Sequence, residues 1–191
     1  NWSQDLPGMQ CPWAEDLADA KRVAVQLGID FKVFDFETQY RQKVVDYMLD
    51  EYRAGRTPNP DIMCNQEVKF KLFLETSLAP GADYIATGHY ARVERLADPA
   101  RLLRAGDDNK DQTYFLYRVT SEALAKTMFP LGNLTKPEVR QIAKERGLWT
   151  ARKKESMGVC FVGNVGMREF LSQYITTRPG DIIDKESGRV L

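Results

Sequence analysis

The chain has 191 residues, 43% of them apolar and 28% charged, with 27 Lys and Arg set against 27 Asp and Glu. That length can bury a core without a disulfide or metal staple, and zero net charge excludes a global attraction to nucleic acid while leaving room for a local basic patch. No apolar run approaches the roughly 18 residues of a membrane span, no signal peptide opens the sequence, and an odd number of cysteines argues for a reducing cytoplasm over a secreted disulfide framework.

Residues 14–27 place Leu17, Ala20, Val23, Ala24 and Leu27 at helical spacing, with Gly28 as the stop. Phe31-Lys32-Val33-Phe34 alternates and predicts a short strand. Helical period returns over 38–53 through Val44, Val45, Met48, Leu49 and Tyr52, and ends at Gly55 and a proline-bracketed loop, Pro58-Asn59-Pro60. From Asn65 to Leu78 the apolar set Val68, Phe70, Leu72, Phe73, Leu74 and Leu78 covers more than one face, which predicts a largely buried helix. A turn at Pro80-Gly81-Ala82-Asp83 leads to a short apolar strand, Tyr84–Thr87, and then to Gly88-His89-Tyr90. A glycine at the carboxyl end of such a strand is where open α/β sheets hold ligands.

Residues 91–95 and 101–104 predict a hairpin around Ala97-Asp98-Pro99. The polar loop Gly106–Gln112 leads into Thr113–Tyr117, a short buried helix. Thr135-Lys136-Pro137-Glu138 is a capping box with proline near the first helical position, opening a helix through Val139, Ile142 and Ala143 to Gly147. Beyond the basic loop 152–156, Val159-Cys160-Phe161-Val162 reads as a buried strand, 167–175 as a short helix, and 181–191 as a hairpin turning at Lys185-Glu186-Ser187-Gly188. The change to hairpin character late in the chain places the start of a second domain near residue 164. With no initiator Met before Asn1-Trp2-Ser3 and an unfinished hairpin at Val190-Leu191, the sequence reads as a fragment.

Two cysteines carry the chemistry. Each proline of Pro58-Asn59-Pro60 fixes its own φ and biases the residue before it toward extended geometry. The stiff loop delivers Asp61 and Cys64 into a helix start, where a thiolate is stabilised. The competing reading of Cys64 is a buried core cysteine. Cys160, among Val159, Phe161 and Val162, reads as core unless Lys153 and Lys154 lie close enough to favour its thiolate. Cys11 is a bystander, and cysteines 11, 64 and 160 with His89 contain no C-x2-C pair, so no structural zinc is expected. Asp61 is either a helix N-cap or a proton-transfer group, and His89 either a packed core histidine or a ligand for an incoming phosphate or base. Arg53, Arg56, Lys69, Lys71, Arg101, Arg104, Lys153 and Lys154 form either a basic rim for phosphates or scattered solvated charges.

The strings TPNPDIMCNQEVKFK, DYIATGHYARV, NKDQTYFLY, KPEVRQIA and KKESMGVCFVG, in this order, resemble the tRNA-specific 2-thiouridylases over roughly residues 11 to 184. The resemblance implies an α/β fold: a partial Rossmann-like adenine nucleotide alpha-hydrolase domain of the PP-loop ATPase type over 1–163, truncated at its N-terminus, and the beginning of a smaller α+β tRNA-binding domain over 164–191. It implies thiolation of the wobble uridine, U34, in which ATP with Mg2+ adenylates uridine O2 and a cysteine persulfide then supplies sulfur. By matching motif, Cys64 is the nucleophile, Cys160 the persulfide carrier that can form a disulfide with it, and Asp61 the acid/base. Asn59, Pro60 and Asp61 contact the target base, Gly88 the ATP, and His89, Lys110, Asp111 and Gln112 the tRNA. Partners implied are tRNAs with Lys-, Glu- and Gln-type anticodons and a sulfur-relay donor protein, in the cytoplasm.

The glycine- and serine-rich phosphate loop and the C-terminal β-barrel of that family are not found in the sequence, so the chain alone is not expected to activate uridine. The alternatives are another PP-loop ATP pyrophosphatase, of the amide or argininosuccinate ligase type, and a non-catalytic RNA-binding domain.

Overall fold

The computed structural model of the chain describes residues 13–95, 99–154, 159, 162, 166–176 and 180–191. Helices dominate, around one parallel and one antiparallel pair of short strands. Helix α1 (Trp13–Leu27) ends at Gly28, whose φ of 67° lies in the left-handed region open to glycine. A second helical run consists of α2 (Glu37–Tyr40), a π-helical stretch Arg41–Val45 and α3 (Asp46–Arg53). A third begins with α4 (Pro60–Met63), continues through π-helical winding over Cys64–Phe73, and ends as α5 (Leu74–Leu78).

β1 (Ile85–Ala86) pairs in parallel with β4 (Thr127–Met128), and β2 (Arg92–Glu94) pairs antiparallel with β3 (Arg101–Leu103), Val93 opposite Leu102. Between β3 and β4 lie a 3-10 turn, Thr113–Leu116, and α6 (Ser121–Ala125). Helix α7 (Lys136–Glu145) opens on the expected capping box, with the Thr135 amide donating to Glu138 Oε2 at 2.7 Å. A 3-10 turn, Trp149–Arg152, and α8 (Met167–Ser172) follow. The late hairpin is present as the antiparallel bridge between Ile183 and Val190.

Two apolar clusters hold these elements, and the third helical run explains its own sequence by serving both. Cys64 and Val68 enter one cluster with Val44, Val45, Met48, Leu49, Val162 and Phe170. Phe70 and Leu74 enter the other with Ile85, Ala91, Leu116, Leu124 and Phe129. A helix packed on two sides has no single apolar stripe, which is why the residues after Asn65 spread over more than one face. Each large apolar side chain so buried contributes about 1.5–3 kcal/mol.

Gly132 marks the tightest backbone approach. A Cβ there would fall well inside van der Waals contact of the Ala91 carbonyl oxygen and 2.7 Å from Arg92 Cγ. This bare spot lets the segment after β4 lie against the start of β2.

Three expectations change. Phe31–Phe34 joins no ladder among the described residues, and Val33 is exposed; alternation makes a strand only where a neighbour takes its N–H and C=O groups. Helix α1 buries Ala24 and Asp19, while Leu27 of the expected apolar face is exposed. In the Thr113–Leu116 turn only Leu116 is buried. Val162 donates its amide to the Val159 carbonyl at 3.0 Å, a turn-like contact. Residues 160 and 161, on which the predicted strand also rests, lie outside the described residues, as does Cys11.

Candidate active site

The loop before α4 is built by its prolines and by one capping bond. Asn59 has extended backbone, φ −109° and ψ 101°, and its Oδ1 accepts from the Asp61 amide at 3.1 Å, with Pro60 at the first helical position. The cap is therefore Asn59, which leaves the Asp61 carboxylate for other work. Asp61 is half-buried, and desolvation raises its carboxyl above the ordinary aspartate value, partly offset by the positive charge of Lys69.

Cys64 lies one turn further in than the sequence suggested. Its amide donates to the Pro60 and Asp61 carbonyls, so it is past the N–H groups left over at the helix start. The side chain is 8% exposed and belongs to the first apolar cluster. Packed against that same cluster are Val159 and buried Val162, the described residues on either side of position 160. Next to Cys64, Asn65 is 2% exposed; its Nδ2 donates to the Phe115 carbonyl at 2.9 Å, while its buried Oδ1 has no hydrogen-bond partner among the described residues. The π winding that begins at Cys64 is uncommon and occurs often at functional sites.

Gly88 and His89 follow β1 directly. Among the described residues a Cβ at Gly88 would meet only Leu131 Cδ1, at 3.9 Å, so their packing does not demand glycine here and leaves the backbone open to a close approach. His89 is held by Thr87 Oγ1 at 2.8 Å from its Nδ1 and packs against the rings of Phe70 and Phe129, centroids 5.6 and 6.2 Å away. Burial, and then the charge of Lys69, lower its pKa from 6.5 to about 4, so the imidazole is neutral near pH 7. Lys69 thus acts electrostatically on both Asp61 and His89.

The Lys110-Asp111-Gln112 segment is fastened to this group from the other side. Gln112 Oε1 accepts from the Tyr90 amide at 2.9 Å and the Gln112 amide donates to the Tyr90 carbonyl at 2.9 Å. Asp111 accepts from the Ala105 amide, the Thr113 amide and hydroxyl, and Arg104 Nε, at 3.1, 3.4, 2.9 and 3.3 Å. The side-chain oxygens of Asp111 and Gln112 are therefore engaged within the protein. Asp107, buried in the same loop, accepts from the Lys136 amide at 2.8 Å and ties the loop to the start of α7.

Most of the candidate rim residues are paired with nearby acids. Arg56 pairs with Glu51, Arg53 with Asp50, Lys71 with Glu67, and Arg104 with Asp108 and Asp111. Lys153 donates to Asp16 and Asp19 at 2.8 and 2.6 Å, and these bonds raise its pKa. It therefore anchors α1. Lys69 is exposed and makes no ion pair among the described residues. Among those residues no group of His, Cys, Asp or Glu side chains is gathered that could hold a metal ion, and no helix is long and apolar enough to cross a membrane.

The parallel strand pair and the helices around it are consistent with a partial α/β domain. A model of the tRNA methyl transferase HUP domain matches residues 1–164, which makes the domain a Rossmann-like one, and the chain belongs to that family. It is similar to a tRNA-specific 2-thiouridylase MnmA of Bacillus thuringiensis (strain Al Hakam), 53% identical over 190 residues, which is 100% of this chain and 51% of that protein. A protein of the same name from Bacillus velezensis is 54% identical over 183 residues, 96% of this chain and 49% of the relative. The chain spans about half the length of the curated relatives it matches.

Proposed function

We propose that this chain carries the catalytic part of an enzyme that converts the wobble uridine of tRNA, U34, to 2-thiouridine. The observation that carries the reading is the packing of Val159 and Val162 into the apolar cluster that holds Cys64, because these residues bracket Cys160. Cys64 is the nucleophile and Cys160 the persulfide carrier. The similarity to 2-thiouridylases over the whole of this chain supports the assignment.

Bound ATP, with Mg2+, supplies the adenylyl group that makes uridine O2 a leaving group. The open backbone at Gly88, at the carboxyl end of β1, fits a nucleotide there. The chain's own residues hold the base and move the sulfur. Asn59, Pro60 and Asp61 present a rigid edge to the splayed-out uracil, and Asp61 exchanges the proton, its raised pKa bringing it closer to neutral pH. Neutral His89, Lys110 and the segment fixed by Asp111 and Gln112 meet the tRNA.

At the reacting carbon the terminal sulfur of the Cys160 persulfide forms the C2–S bond as the C2–O bond breaks and the former O2 leaves with AMP. The Cys64 thiolate attacks Cys160 Sγ, the persulfide S–S bond opens, and its outer sulfur stays on the base. The two thiols are oxidised to a disulfide, and the transferred sulfur is reduced. A dithiol reductant then restores both thiols. A disulfide needs the two Cα atoms within about 7 Å. A donor protein reloads Cys160, and tRNAs with Lys-, Glu- and Gln-type anticodons are the substrates. The domain boundary falls at 163/164, a reading supported by the extent of the family match.

The test is a tRNA thiolation assay on the full-length protein. Cys64→Ser and Cys160→Ser should each abolish 2-thiouridine while leaving tRNA binding in place. Full activity in either variant overturns the assignment.

A further inference from the structure

Two side chains with no role in the reading above stand together on the segment after Gln112. Tyr114 and Tyr117 are each 63% exposed. They are three residues apart on the 3-10 turn Thr113–Leu116 and its cap, where positions i and i+3 eclipse, and their ring centroids lie 6.3 Å apart with planes inclined at 40°. Phe115 braces Tyr114 edge-on, centroids 5.4 Å apart at 80°. Leu116, between them, is fully buried in the second apolar cluster, so the backbone is anchored while the two phenols face solvent.

This pair is fixed to the candidate active site. Asp111 grips Thr113 at the front of the turn, and Asn65, beside Cys64, holds the Phe115 carbonyl at its centre. Behind it, Arg118 Nη1 lies 3.6 Å from Sδ of Met63, the residue before Cys64. In sequence Lys110 precedes the pair and Arg118 follows it.

We propose that Tyr114 and Tyr117 form a stacking platform for unpaired RNA bases, taking loop nucleotides next to the one delivered to Cys64. The proposal rests on tRNA being the substrate. Splayed loop bases are bound chiefly by stacking on aromatic faces, with cations for the intervening phosphates. Tyrosine suits this because its ring offers a large rigid face at the cost of few rotatable bonds. Stacking is tolerant of sequence, so the platform holds the loop without choosing the tRNA.

The experiment measures binding of an anticodon stem-loop RNA to the full-length protein by fluorescence anisotropy at several salt concentrations. Tyr114→Ala and Tyr117→Ala should each weaken binding by about 5- to 150-fold, with the joint Tyr→Phe variant within about twofold of the unsubstituted protein. The slope of affinity against salt should not change, because no phosphate contact is removed. Replacing the stacked loop base with an abasic site should shrink the effect of the alanine substitution. If the alanine variants bind as well as the unsubstituted protein, the platform is wrong while the thiolation reading stands, and the tyrosines belong to a protein interface instead. Phenylalanine variants as weak as the alanine ones overturn stacking in favour of a hydroxyl contact. An unsubstituted protein that binds no RNA overturns both readings.

Discussion

Asn65 Nδ2 donates to the Phe115 carbonyl at 2.9 Å, across 50 residues of sequence, and so joins the helix that carries Cys64 to the turn that follows Lys110-Asp111-Gln112. The opposite side of the same carboxamide, Oδ1, is buried with no partner among the described residues. Asn65→Leu removes an unsatisfied acceptor but also takes the donor from the Phe115 carbonyl, so it should cost about 1–2 kcal/mol. Asn65→Asp sets a buried carboxylate against a carbonyl oxygen and should cost about 3 kcal/mol or more. Urea unfolding of the two variants gives the order directly; equal losses would mean that this bond does not organise the site.

The buried imidazole of His89 makes stability depend on pH. Its folded pKa of about 4 lies below the ordinary 6.5, so between those values the unfolded chain binds the extra proton. Stability is fully present above pH 6.5 and falls as pH drops toward 4, by at most about 3 kcal/mol. His89→Gln should flatten this part of the profile. Denaturant midpoints at pH 7.5 and pH 5 for both proteins test it, and an unchanged difference in the variant would contradict it.

Asp61 shows function opposing stability. Burial disfavours its charge, so Asp61→Asn should raise the melting temperature by about 2–4 °C, equivalent to roughly 1 kcal/mol. Loss of the proton-transfer group should meanwhile lower thiouridine formation by about 10²–10⁴-fold. Lys69 holds the Asp61 carboxyl down against burial, so Lys69→Ala should move the acid limb of the pH–rate profile to higher pH. A limb that stays put separates Asp61 from that ionisation.

Gly132→Ala forces a Cβ into the Ala91 carbonyl and Arg92 Cγ. The strain should cost about 1–3 kcal/mol, read as a lowered denaturant midpoint with an unchanged slope. Gly28→Ala, by contrast, meets no neighbour within 4 Å among the described residues and is strained by its positive φ of 67°.

What could be read in advance was local. The capping box at Thr135–Glu138, the β2–β3 hairpin and the proline-set loop before Cys64 each depend on residues a few positions apart. The site depends on contacts that no short window contains. The Asn65–Phe115 and Tyr90–Gln112 bonds span 50 and 22 residues. Nothing in the string Lys110-Asp111-Gln112 says that its acid and amide oxygens face the protein. The pairing of the basic residues was hidden for a related reason: Lys153 meets Asp19 across 134 residues, and sequence shows the charges without their partners. The burial of Asn65 carried a faint signal, a polar residue in a helix whose neighbours are apolar on more than one face.

The central claim is that sulfur travels on Cys160 and leaves through Cys64. The most direct measurement is peptide mass mapping of the full-length protein after loading with a sulfur donor under non-reducing conditions. The peptide holding Cys160 should gain the mass of one sulfur atom, and addition of ATP and tRNA should replace that species with a Cys64–Cys160 disulfide as 2-thiouridine appears. Active protein with no added sulfur on Cys160, or with the sulfur on Cys11 or Cys64 instead, would contradict the account.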